Sequence, residues 1–217
     1  MTLCSAVITL AVCASALARD EIPAGLHSNY RLSAPESLSL PVDGIAVAVG
    51  DVTADGLSDI LVTSGYDDDP GKRYRLGVFP QLVDGSLGAM VSYPFGSEGG
   101  NGLVLADLTG DGALDVVVAR FTGISVLIAD GAGGFLPFTE IAGQVASNIA
   151  ATDVDRDGHI DVVIRGGASG LGIYYGDGAG GFPWYLAIAS PGTSSRTLEI
   201  GDLNGDGFPD LGLLRGL

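Results

Sequence analysis

The chain has 217 residues, enough for one sizeable core or an array of repeats, and 47% of them are hydrophobic, which excludes a disordered chain. Its 26 acidic residues against 10 Lys and Arg leave a net charge of −16, which excludes the basic face that nucleic acid requires and electrostatic docking on anionic lipid. With 35 glycines in so apolar a chain, the expected class is turn-rich and all-β.

Residues 1–18 are apolar and carry no charged side chain, and Arg19-Asp20-Glu21 follows at once. This resembles a secretory signal peptide cleaved after Ala18, although no Lys or Arg marks its start. The apolar stretch is short for a membrane anchor, so no membrane insertion is expected. Both cysteines, Cys4 and Cys13, fall inside it, and a mature chain would hold no disulfide or thiolate. Residues 19–43 form an N-terminal segment in which Tyr30 to Leu40 offers material for a closing strand.

From residue 44 a unit of about fifty residues recurs, over about 44–95, 102–140, 147–189 and 196–217. Each unit opens on an alternating segment, strand A, with larger residues such as Ile45, Val47 and Val49 and a small one (Gly50, Ala106, Thr152 or Gly201) just before the next feature. That feature is an Asp-rich nonapeptide: Asp51 to Asp59, Asp107 to Asp115, Asp153 to Asp161 and Asp202 to Asp210. An apolar strand B follows, as in Val116-Val117-Val118, which must be covered on both faces. Tyr66 to Lys72 lengthen the next connection in the first unit into an exposed loop. Strand C spans Tyr74 to Phe79, Ile124 to Ile128 and Leu171 to Tyr175. Glycine turns then close a hairpin, Asp130-Gly131-Ala132-Gly133-Gly134-Phe135 and Asp177-Gly178-Ala179-Gly180-Gly181-Phe182, with Asp84 to Gly88 a degenerate version, so strand D is expected from Phe135 and Phe182.

A four-stranded antiparallel sheet with two apolar faces is unstable alone, and stacking such sheets around an axis with A innermost makes a β-propeller. The fold expected is therefore an all-β propeller with three complete blades and one partial blade. A truncated propeller, a small ring closed by the N-terminal segment and an open arc all remain compatible with this count. An open arc would leave apolar faces and edges free for self-association.

Each nonapeptide presents carboxylates at positions 1, 5 and 9 and a glycine at position 6. The donors are Asp51, Thr53, Asp55 and Asp59; Asp107, Thr109, Asp111 and Asp115; Asp153, Asp155, Asp157 and Asp161; and Asp202, Asn204, Asp206 and Asp210. The position 7 carbonyls of Leu57, Ala113, His159 and Phe208 add one oxygen each. An oxygen-only cage of this kind suits Ca²⁺ better than Mg²⁺ and offers nothing to zinc, so up to four Ca²⁺ are expected. Asp-Gly clusters also serve as simple turns, but four copies in register with a third carboxylate at position 9 go beyond that need. An EF-hand is excluded because position 12 is Val62, Val118, Ile164 or Leu213 where it needs Glu, and strands rather than helices flank the loop. Half of all the acids lie in these loops, so folding and metal binding are expected to be coupled. Copy three, with four Asp side chains, is expected to bind most tightly.

With the Asp-Gly-Ala-Gly-Gly-Phe turns, loops such as Asp202-Leu203-Asn204-Gly205-Asp206-Gly207-Phe208-Pro209-Asp210 resemble the FG-GAP/VCBS repeat family, whose blades also build the integrin α-subunit propeller. The resemblance covers residues 44 to 215 and implies calcium-stabilised blades with positions 1, 3, 5 and 9 as ligands. It implies no single activity.

Catalysis is not expected. Only His27 and His159 are present, the loop acids are committed to metal, and Ser194 and Ser195 lack a nucleophile elbow. The leading expectation is a secreted calcium-binding propeller that recognises an extracellular protein or glycan. The alternative is the propeller part of a carbohydrate-active protein. Tyr174, Tyr175, Trp184 and Tyr185 are candidates for stacking on sugar or for filling the space between blades. Arg120, Arg165 and Arg215 recur near the end of strand B, either ringing one face or snorkelling from strand ends.

Overall fold

The computed structural model describes residues 7–10, 36–39, 44–64, 74–166, 170–188 and 195–215. The rest of residues 1–18, all of Tyr66 to Lys72, both cysteines and the side chain of Arg215 lie outside the described residues. The chain divides into two compact units, Met1–Asp43 and Gly44–Leu217. In the first, β1 (Val7–Leu10) pairs antiparallel with β2 (Glu36–Ser39), Val7 opposite Ser39.

The second unit is all-β, with no helix among the described residues. Blade 1 comprises β3 (Gly44–Gly50), β4 (Asp59–Ser64), β5 (Tyr74–Phe79) and β6 (Val91–Gly96). Blade 2 comprises β7 (Gly102–Ala106), β8 (Asp115–Arg120), β9 (Gly123–Leu127) and β10 (Thr139–Ala142). Blade 3 comprises β11 (Asn148–Thr152), β12 (Asp161–Gly166), β13 (Gly170–Tyr175) and β14 (Trp184–Ile188). In blade 4, β15 (Ser195–Gly201) pairs with β16 (Asp210–Arg215). Every sheet is antiparallel in chain order, and the A strands lie side by side, β3 against β7, β7 against β11 and β11 against β15. Three four-stranded blades and one two-stranded blade thus form a partial β-propeller.

Strand B explains the stacking. In β8, Val116 and Val118 enter the core shared with blade 1, beside Leu61, Leu76 and Phe95. Val117 and Ala119 enter the core shared with blade 3, beside Val162, Ile164 and Tyr174. All four residues of that run are fully buried, and each valine contributes about 1.5–3 kcal/mol of burial that a lone sheet would forfeit on one face.

The small residue that ends strand A has its reason in the same packing. A Cβ on Gly50 would stand 2.7 Å from Leu105 Cδ1 and 2.9 Å from Leu114 Cδ1 of blade 2. Gly50 therefore faces blade 2, and by alternation Ile45, Val47 and Val49 face away from it and stay 45%, 53% and 58% exposed. Strand D starts later than the pattern predicts, at Thr139 and Trp184. Phe135 makes only an isolated bridge to Ala129 and turns its ring edge-on to Tyr93 of blade 1, at 5.1 Å. Pro137 and Pro183 lack the amide that would extend each ladder upstream.

Candidate metal centre

The four loops share one hydrogen-bond scheme. The position 1 carboxylate accepts amides from across its own loop: Asp51 from Asp55 and Gly56, Asp107 from Gly110, Asp111 and Gly112, Asp153 from Asp157 and Gly158, and Asp202 from Gly205 and Gly207, all at 2.6–3.2 Å. The position 5 carboxylate accepts the position 7 amide, from Leu57, Ala113, His159 or Phe208, at 2.8–2.9 Å. The chain turns left-handed twice per loop, at the position 6 glycines and again at position 4, where Ala54 (φ 59°) and Arg156 (φ 63°) stand among Gly110 and Gly205. A side chain at such a φ is strained, so the inward turn is enforced by the rest of the loop. The glycines of copies two and four were the sequence signal for this turn.

Position 9 has a second task. Asp59, Asp115 and Asp161 open strands β4, β8 and β12 and are fully buried. One carboxylate oxygen of each accepts the amide of position 2, from Val52, Leu108 or Val154. The other reaches the segment after strand C, accepting from Gln81 N at 3.0 Å, Ala129 N at 2.8 Å and Gly176 N at 2.8 Å. The acid thereby latches its loop to the second hairpin of its own blade. In blade 4, Asp210 accepts from Leu203 N at 2.8 Å. Burial pushes the Asp115 and Asp161 carboxyls above the usual carboxylate range in spite of these amides, and the neighbouring loop acids push the same way.

Copy three brings Asp153, Asp155 and Asp161 together, with donor oxygens within 4.8 Å of one another, and Asp157 lies outside that trio. Among the described residues no salt bridge reaches any loop carboxylate. In copies one and two, position 3 places Thr53 Oγ1 and Thr109 Oγ1 out of reach of solvent with no hydrogen-bond partner. Buried carboxylates without a cation and hydroxyls without a partner are what an oxygen-liganded hard cation would satisfy, so the residues fit the metal that the loop pattern implies. Asn204 is exposed and bonded within its own loop to Asp206.

The remaining candidates separate. Tyr174 is fully buried in the core between blades 2 and 3, its ring tilted 47° against that of Tyr185 at 4.6 Å, and burial holds its hydroxyl far above the usual phenol range. Tyr175 packs against the core between blades 3 and 4, whereas Trp184 is 74% exposed. Arg120 does not line an open face: it is 4% exposed and paired to Glu140 at 3.0 Å and Glu98 at 3.6 Å. Arg165 is half-buried and donates to Ser147 Oγ. The His159 ring stands against Gly178 in the turn of its own blade.

Stacked antiparallel blades, each with an acidic strand-to-strand loop at the same place, define a repeat propeller. The FG-GAP-like repeat family matches residues 51–118, 107–164 and 153–213, and the chain belongs to that family. A search of curated proteins finds no match. Among solved structures, the chain is similar to a lectin of Agrocybe aegerita described as recognising non-reducing terminal N-acetylglucosamine, with 25% identity and a TM-score of 0.53. The match covers 75% of this chain and 44% of the lectin, so the chain spans less than half of that protein. It is also similar to part of the Tc holotoxin pore of Photorhabdus luminescens, with 17% identity, a TM-score of 0.45, and coverage of 76% of this chain and 8% of that one.

Proposed function

We propose that the chain is a calcium-stabilised recognition module that works outside the cell, binding a glycan or a protein, and that it is not an enzyme. The observations that carry this reading are the convergent trio Asp153, Asp155 and Asp161 in copy three and the sealed, unpartnered threonine hydroxyls at position 3 of copies one and two. Calcium suits that donor set, and its charge would offset the repulsion among the loop acids. Residues 1–18 support export, and no described helix is long and apolar enough to cross a membrane. The likeness to a lectin supports a glycan as ligand, and Trp184 is an exposed aromatic of the kind that stacks on sugars.

Two measurements test the reading. Thermal unfolding in calcium and in EGTA should show a higher melting temperature with calcium, and an unchanged one would remove the structural metal. A glycan array that includes terminal N-acetylglucosamine should give binding that is lost with chelator. Turnover of a polysaccharide by the purified chain would overturn the non-enzymatic assignment.

A further inference from the structure

The glycine turns of blades 2 and 3 each meet the preceding blade. In the turn from Asp130 to Gly134, the Asp130 carboxylate accepts amides from Ala132 and Gly134, which curls the backbone toward blade 1. A Cβ at Gly133 (φ 87°) would lie 3.2 Å from the Thr53 carbonyl oxygen, 3.7 Å from Thr53 Cα and 3.8 Å from Thr53 Cβ. The same relation recurs one blade later, where a Cβ at Gly180 (φ 80°) would lie 2.5 Å from Ile128 Cδ1 and 3.7 Å from Thr109 Cγ2. The residues so covered, Thr53 and Thr109, are the two position 3 residues whose hydroxyls are sealed and unpartnered. Only glycine permits this approach, because on a left-handed backbone a side chain would meet the Thr53 carbonyl at Gly133 and the Ile128 side chain at Gly180.

We propose that Gly133 and Gly180 are positioning residues for the metal loops of the preceding blades, closing them at position 3, so that a cation held by Thr53 or Thr109 is thermodynamically linked to the docking of the next blade. This rests on the calcium reading above. Position 9 already ties each loop to its own blade, through Gln81 and Ala129 in the first two copies. Position 3 adds the contact across the blade boundary. By linkage, whatever loosens the turn weakens the cation, and the cation tightens the turn by the same factor.

Gly131 supplies an internal control. It sits two residues away in the same turn, is also left-handed (φ 71°), and a Cβ there meets nothing within 4 Å. Both alanines pay the left-handed backbone, and Gly133→Ala should cost more stability in EGTA because it alone meets the neighbouring loop. In calcium, Gly133→Ala alone should lose part of the metal-induced rise in melting temperature and weaken one calcium site about tenfold by titration against a chromophoric chelator. A second readout does not depend on the glycine variant folding: hydrogen exchange of amides 130–135 in the 217-residue chain should slow on adding calcium, and this slowing should vanish in Thr53→Val. Equal calcium responses in the two alanine variants, or undiminished slowing in Thr53→Val, would overturn the coupling while leaving the metal reading intact. No calcium binding by the unaltered chain would overturn both.

Discussion

Replacing Asp161 by Ala separates two roles that position 9 combines. The carboxylate is fully buried and accepts amides from Val154 at 2.7 Å and Gly176 at 2.8 Å. Hydrogen bonds to a charged group contribute about 1.5–3 kcal/mol each, so losing both would cost about 3–6 kcal/mol if nothing opposed them. Burial opposes them, since it holds the Asp161 carboxyl above its ordinary range and its removal releases that desolvation cost. A net loss of about 3 kcal/mol remains, or roughly 6–12 °C in melting temperature for a domain of this size. The loss is expected in EGTA, with no metal present, followed by circular dichroism on heating. Asp155→Ala is the comparison, because that side chain is exposed and its one amide contact, from Asp157 at 3.2 Å, duplicates one made by Asp153. It should change little in EGTA and reduce the stabilisation that calcium adds. If Asp161→Ala melts with the unaltered chain in EGTA, the acid is no latch and the argument fails.

Calcium titrations of Asp155→Ala and Thr53→Ala should show the larger single-site loss at Asp155, since copy three carries the most charge, and the reverse order would refute a ranking by charge. Gly50→Val should cost about 1–3 kcal/mol by forcing Leu105 and Leu114 apart, whereas Gly201→Val, at the same repeat position with nothing within 4 Å of a Cβ, should lie within about 0.5 kcal/mol by urea unfolding. Arg120→Met should cost about 2 kcal/mol, less than the roughly 3–5 kcal/mol for breaking a fully buried pair because Glu98 and Glu140 keep partial access to water. Restoration of stability by adding Glu140→Gln would identify the stranded carboxylate as the cause.

Strand order, blade stacking and the loop were legible because each leaves a local trace. Period-two alternation marks β3 and β7, an unbroken valine run marks β8, and glycine at position 6 marks the turn. What was illegible involves partners distant in sequence. The Asp115 latch ends on the amide of Ala129, which any residue but proline could supply. The Arg120 ion triad joins β8 and β10 of blade 2 to the connection between blades 1 and 2 through glutamates without a motif. Phe135 reads as the start of strand D by pattern alone, and its burial against Tyr93 depends on how blade 2 meets blade 1.

The choice of residue at position 3 follows the same geography. In copies one and two the next blade's turn lies over it, and an Asp there would have to give up water as well as face the carboxylates at positions 1, 5 and 9, a cost that grows steeply with burial. Threonine offers an oxygen without that penalty. In copy three Asp155 is exposed and, among the described residues, accepts only the Asp157 amide. Its neighbour Arg156 points onward instead, over the Phe208 ring of copy four at 4.7 Å. On the calcium reading, loop three would hold its cation by charge, and loops one and two would convert a weaker site into contact between blades. On this argument Thr53→Asp should fail to make copy one resemble copy three, lowering the melting temperature in EGTA by more than calcium restores. A net gain of stability in calcium would show that closure does not exclude the charge.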